Sequence, residues 1–339
     1  MLLISVVKGK RKNNIKPSEN DILVMKFPVH YTFSNLKKAV HDPALFLVEG
    51  RRLALSANAA YSRLRGFNGT CKVIEEDWDN LIILDGCRYD LFEEVNFLDG
   101  RLESRTSVGS ESWEFLCENF QGRQLHDVIY VTANPHAPKL DDNTFYQTVN
   151  LLKHQWDEDL RTVTPEAMTK EALKIHEKHP NKRLIIHYMQ PHFPFIGEKG
   201  QKIAHAGVTL GNKTSNEQTP HVWSGLRDRK LDIDEDFVYA AYKENLELTL
   251  PHVRKLISSL DGKSVVTSDH GNLTGDRTRP IPVKGYGHPR GFYAPELVTV
   301  PWLVIEGSNR RHITTDPPSK NEQMDSEVVE NRLEDLGYR

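Results

Sequence analysis

Three cysteines are all that 339 residues contain: Cys71, Cys87 and Cys117, with no C-x-x-C pair and one left over from any pairing. That excludes a disulfide framework and a cysteine zinc site, and it leads to the expectation of a reducing, cytoplasmic setting. No apolar run approaches the ~20 residues of a membrane span. The apolar start, "MLLISVV", is too short for a signal-peptide core, and its positive charges follow rather than precede it. Basic charge is not in excess either. With 44 Lys and Arg against 47 Asp and Glu the formal net charge is -3, so no footprint of nucleic-acid binding is present. The one basic cluster, "KGKRKNN" (8–14), reads as a solvated tail.

Short, continuous apolar runs are present, and they alternate with helical periodicity. "NLIIL" (80–84), "DVIYVTA" (127–133), "RLIIHYM" (183–189), "KSVVTS" (263–268) and "VPWLVIE" (300–306) each have the composition of a strand buried on both faces. Before the third run comes "TPEAMTKEALKIHEKH", where Thr164 can cap a helix and Pro165 suits its first turn. Before the fourth comes "DFVYAAYKENLELTLPHVRKLISSL", a helix that Pro251 should bend or divide. The pattern predicts an α/β protein, a three-layer α/β/α sandwich around a mostly parallel central sheet.

Ligands in such folds sit at the carboxyl ends of the strands. Asp85 follows the first run, "VVTSDHGN" (265–272) ends in the adjacent Asp269 and His270, and His187 and His192 close a third strand. Carboxylates and imidazoles gathered there supply oxygen and nitrogen ligands suited to zinc or manganese. For His187, which lies inside an apolar strand, a packed core histidine is the favoured reading.

The order of "LIILDGCRYD", "SVGSESWEFL", "HYMQPHFPF", "YKENLE", "VVTSDHGN" and "GYGHP" followed by "VPWLV" resembles the alkaline phosphatase superfamily, in its sulfatase-like and phosphoglycerol-transferase-like branch. The resemblance spans about two-thirds of the chain. It implies a metal-dependent hydrolase or transferase of phosphate esters with one or two divalent ions and a hydroxyl nucleophile. Asp85, Asp269 and His270 would be metal ligands. His192 would meet the anionic group or leaving oxygen, and His288 would bind metal or substrate. Arg88 is a further candidate for the non-bridging oxygens, or else a structural arginine. The nucleophile, also a metal contact, is expected at Ser110, four residues before Glu114 and Phe115, with Ser112 second and Ser107 third, at a helix start whose amides can face an anion.

Two departures matter. No C-x-P-x-R sequence is present for a formylglycine, so Cys87 is expected to be a packed residue, and Gly86 stands where sulfatases tend to carry a second acid. Sulfate-ester hydrolysis without formylglycine, or a non-catalytic binding module, are the alternatives. The expected organisation is a peripheral extension (1–70), a catalytic domain (71–307) and a tail with one short helix (308–339). Within the domain, residues 197–234 form either a lid or a surface loop. Expected partners are anionic esters, free or carried on a glycan or lipid.

Overall fold

The computed structural model describes residues 43–203, 221–307, 309–319 and 326–336. The basic cluster at 8–14 and the middle of the 197–234 segment lie outside the described residues. The chain divides into two compact units, Met1–Phe46 and Leu47–Arg339, and the second carries every strand of the described residues.

Eleven strands occur in chain order: β1 (Asn80–Leu84), β2 (Arg101–Thr106), β3 (Leu125–Thr132), β4 (Phe145–Asn150), β5 (Trp156–Asp157), β6 (Thr162–Val163), β7 (Arg183–Tyr188), β8 (Ser264–Thr267), β9 (Leu273–Arg277), β10 (Lys284–Gly287) and β11 (Thr299–Ile305). Seven of them form one sheet in the order β2-β11-β8-β1-β7-β3-β4. The pairs β8/β1, β1/β7, β7/β3 and β3/β4 are parallel, whereas β11 is antiparallel to both of its neighbours. The five apolar runs read from the sequence are β1, β3, β7, β8 and β11.

Alternation along these strands explains the layers. Ile82, Leu84, Ile129, Val131, Leu184, Ile186 and Val266 face one apolar cluster, with Met168, Ala172, Leu246 and Leu250 from the helices Pro165–Lys178 and Glu235–Ser259. Leu81, Ile83, Val128, Tyr130, Ile185 and Val265 face the other, with Phe115, Leu116 and Phe120 from the helix Ser112–Phe120. Successive side chains of one strand thus feed opposite cores, which is why the runs are apolar throughout.

Thr164 caps its helix, accepting from Ala167 N at 3.3 Å. The helix Glu235–Ser259 runs through Pro251 as one element instead of dividing there. Interior proline costs about 3 kcal/mol, but Leu246, Leu250, Val253 and Leu256 are fully buried beside it, each contributing about 1.5–3 kcal/mol. A helix also forms in the C-terminal tail, Ser326–Asp335.

The parallel register sets β1, β3, β7 and β8 side by side, with Ile83 opposite both His187 and Thr267. The residues just beyond these strand ends are therefore delivered to one edge of the sheet.

Candidate active site

Asp85 leaves β1, and its backbone is fixed at once: its N–H donates to Tyr188 O at 3.1 Å, and its carbonyl accepts from His192 N at 3.1 Å. The chain turns at Gly86, whose φ of 65° is a left-handed value that glycine adopts without strain. Asp269 leaves β8. Its Oδ1 accepts from Gly86 N at 3.0 Å and His270 N at 2.9 Å, which turns Oδ2 toward Ser112. Both aspartates are fully buried.

Ser112, the first residue of the helix Ser112–Phe120, joins them. Its hydroxyl lies 2.7 Å from Asp269 Oδ2, 3.3 Å from Asp85 Oδ2 and 3.3 Å from His270 Nε2. His270 Nδ1 is 2.7 Å from the Gly271 carbonyl. With Nδ1 engaged there, Nε2 faces the carboxylates, 3.5 Å from Asp269 Oδ2 and 3.7 Å from Asp85 Oδ1.

The other two serines are not brought to the carboxylates. Ser110 Oγ donates toward Glu114 Oε2 at 2.8 Å and accepts from Gly291 N at 2.9 Å, in a knot that ties the helix start to the loop after His288. Ser107 Oγ holds the Asp269 carbonyl. Arg88 stands apart as well. Its guanidinium clamps Asp90 at 2.6 Å and Asp276 at 2.9 Å, fastening the turn after β1 to β9. Cys87 is wholly buried, and burial pushes its thiol well above the ordinary value, as suits a packed residue.

His192 and His288 form a pair, Nε2 to Nε2 at 2.9 Å. Burial holds both imidazoles neutral, His192 down to about 4 and His288 well below its ordinary value. His192 owes its place to Asn245, whose amide donates to the carbonyls of Pro191 and His192 at 3.1 Å and of Pro194 at 3.3 Å. One turn earlier, the Tyr242 hydroxyl donates to the Gly86 carbonyl. Both belong to "YKENLE", so that motif's contribution is to position the first strand's turn and the histidine loop.

Sequence reasoning set aside His187 and overlooked Asn134. His187 lies on the sheet face of Ile185, toward the serine-bearing helix. Its Nδ1 is 2.8 Å from the Tyr130 hydroxyl, while Nε2 sits 3.8 Å from Asp85 Oδ2 and 3.7 Å from Asp269 Oδ2, buried with no hydrogen-bond partner. Asn134 Nδ2 donates to Asp85 Oδ2 at 2.8 Å. The usable signal for Asn134 was its place just beyond an apolar run, as for Asp85.

These observations test the fit of a cation. Asp85, His187 and Asp269 present ligand atoms within 4.8 Å of one another, His270 and Ser112 close the same space, and an orphaned buried nitrogen points into it. Burial pushes the Asp269 carboxyl up, yet His270 and His187 outweigh it and hold it below the ordinary range. Buried carboxylates and neutral imidazoles are the donor set a divalent ion takes. The helix amides are less available than expected, because the Glu111 carboxylate accepts from Trp113 N at 2.9 Å and Glu114 N at 2.8 Å.

No protein-family model and no curated protein matches the sequence. Among solved structures, the chain is similar to the lipooligosaccharide phosphoethanolamine transferase A of Neisseria meningitidis, an integral membrane protein, at 11% identity and a TM-score of 0.44, over 68% of this chain and 47% of that one. It is similar to the C-terminal periplasmic domain of EptC from Escherichia coli, solved with zinc, at 16% identity and a TM-score of 0.43, over 68% and 72%. A third is a 2-O GAG sulfatase, at 12% identity and a TM-score of 0.41, over 76% and 70%. These matches fall in the alkaline phosphatase superfamily that the motif order resembles; no residue role is carried over from them. They do overturn the cytoplasmic expectation, since similar structures include periplasmic domains. That expectation rested on unpaired cysteines, and a buried thiol such as Cys71 or Cys87 stays unpaired in either compartment. Among the described residues, no helix is long and apolar enough to cross a membrane.

Proposed function

We propose that the protein is a divalent-metal-dependent hydrolase or transferase of phosphate esters whose nucleophile is Ser112 rather than Ser110. One observation carries this: the Ser112 hydroxyl is the group placed on Asp269, Asp85 and His270 together. Asp85, Asp269 and His270 would hold the ion, zinc or manganese by donor type, with His187 Nε2 as a further donor. A bound cation supplies Lewis-acid polarisation of the ester oxygen and favours ionisation of the hydroxyl.

The chain's own groups supply the rest. Ser112 Oγ–H is directed at Asp269 Oδ2, which orients the hydroxyl, and its proton passes to water as the oxygen attacks phosphorus. The serine O–P bond forms and the ester P–O bond breaks. The leaving oxygen meets the N–H that the His192–His288 pair shares, which hydrogen-bonds the developing negative charge, and it takes its proton from water as it departs. Water or an acceptor alcohol then releases the phosphoryl group from the serine. The substrate class this supports is an anionic ester, free or on a glycan or lipid.

Acid quenching during turnover of nitrophenyl phosphate, followed by peptide mass spectrometry, tests the assignment. Phosphate should be found on Ser112. Phosphate on Ser110, or turnover that persists in Ser112→Ala, would overturn it. Parallel assays with nitrophenyl sulfate rank the two ester types.

A further inference from the structure

A cleft is lined by the hairpin that leads into the histidine pair. β9 and β10 form a hairpin that ends at Gly287, where a φ of 73° turns the chain against Trp223 and into His288. Against the hairpin is this cleft of about 580 Å³, lined by Arg51, Arg229, Arg277, Lys284 and Tyr286, with Asp232 and Glu235 as its acids. The carboxylate–histidine cluster is not part of it.

The charges in this cleft do not cancel. Glu235 is consumed locally, accepting from Lys284 Nζ and from the Tyr286 hydroxyl, each at 2.6 Å. Arg51 donates to the Arg227 carbonyl at 3.1 Å and lies 5.9 Å from the centroid of the Tyr286 ring, with no hydrogen bond to a carboxylate among the described residues. Arg229 and Arg277 make no side-chain hydrogen bond or ion pair among the described residues. Three guanidinium groups therefore stand against one uncommitted acid, Asp232, in a chain whose overall charge is negative. Arg229 also sits at φ 55°, in the left-handed region where glycine normally ends such a turn.

Position links the cleft to the histidine pair. Tyr286 lines the cleft and His288 touches His192, and the α-carbons of Tyr286 and His288 lie at most ~7 Å apart. We infer that the cleft is an anion subsite that binds a second phosphate or sulfate group of the ester whose first group is transferred at Ser112. Guanidinium is the donor suited to such oxygens, since its planar fork bonds them in pairs. The inference rests on the ester-transfer reading for its substrate, but the binding itself can be tested without turnover.

Charge reversal at two positions in the cleft, Arg229→Glu with Arg277→Glu, makes that test in the full chain. Calorimetric titration with inorganic pyrophosphate should show binding weakened at least about tenfold by the double variant, with a melting temperature near that of the parent. Hydrolysis of nitrophenyl phosphate, which has one anionic group, should be unchanged in the same variant. His192→Ala should abolish that hydrolysis and leave the cleft's pyrophosphate affinity intact. Pyrophosphate affinity that survives charge reversal in a folded protein, or that is lost with His192→Ala alone, overturns the subsite. Absence of hydrolysis in the parent would instead sink the ester-transfer reading, with the titration still deciding the cleft. Cosedimentation with phosphatidylcholine vesicles containing phosphatidic acid separates the sources of the group. Capture lost on charge reversal assigns a lipid-borne phosphate, and reversal-sensitive pyrophosphate binding without capture assigns a soluble one.

Discussion

The two ends of the same strands are built to opposite rules. At the amino end, Asp79, just before β1, is met by Arg310 Nε at 2.6 Å and by Lys263 N at 2.8 Å. Arg311 donates to the Asp79 carbonyl at 2.7 Å and to Asn80 at 2.6 Å, and Lys182, before β7, pairs with Asp316 at 2.6 Å. Acid and base are matched there within hydrogen-bond reach. At the carboxyl end, Asp85 and Asp269 are equally buried, yet the groups described against them are a serine, an asparagine amide, backbone N–H and imidazoles. Matched charge serves the fold, whereas two carboxylates buried side by side are costly unless a cation joins them. Function is legible in that imbalance.

Four experiments press on this contrast, the largest effect first. Ser112→Ala removes the hydroxyl at the unbalanced end and should reduce kcat for nitrophenyl phosphate by ~10²-fold or more; Ser110→Ala, which cuts the Glu114 knot, should act on melting temperature instead. Equal kinetic losses in the two variants would erase the distinction between the serines. Asp79→Ala, at the balanced end, should cost roughly 1–2 kcal/mol in denaturant unfolding, since it leaves the Lys263 amide without its acceptor and Arg310 paired with Asp77 alone.

Acid separates the two ends further. Burial lowers His187 and His192 to about 4 from an ordinary 6.5. Unfolded chains therefore take up these protons first as pH falls, so the stability these imidazoles provide is complete above about 6.5 and is lost toward pH 4. Melts of chelator-treated protein should lose about 1.4 kcal/mol per pH unit for each imidazole in that window. A flat profile between pH 6.5 and 4.5 would deny that they are neutral in the fold. The smallest effect is expected from Asp269→Asn. Its oxygen can still accept from Gly86 and His270, so chelated protein should unfold within ~1 kcal/mol of the parent, while elemental analysis shows less bound metal.

The architecture was legible because each apolar run had to fill two cores at once. Asp85, Asp269 and His270 were legible because they stand where such runs stop. Ser110 and Ser112 were not separable from sequence, since two hydroxyls two residues apart both fit a helix start. What separates them is Glu114 and the Gly291 amide claiming one, and β1 and β8 delivering carboxylates to the other. His187 was hidden by its apolar neighbours, as a polar group on a buried strand face has no periodicity to betray it. Of the two outcomes expected at Pro251, division of the helix did not occur, because tertiary burial outweighed a local penalty.

The pairing of β1 with β8 places Asn80 opposite Ser264, partners 184 residues apart in the chain. Closing a loop of that length is entropically late work in folding, and sheets assembled from such distant partners form slowly. Asp85 and Asp269 therefore meet only when the central strands are in place. A ligand that bridges them has nothing to hold in a half-assembled chain, so it should retard unfolding far more than it hastens folding. The cluster thus acts as a latch on the finished sheet.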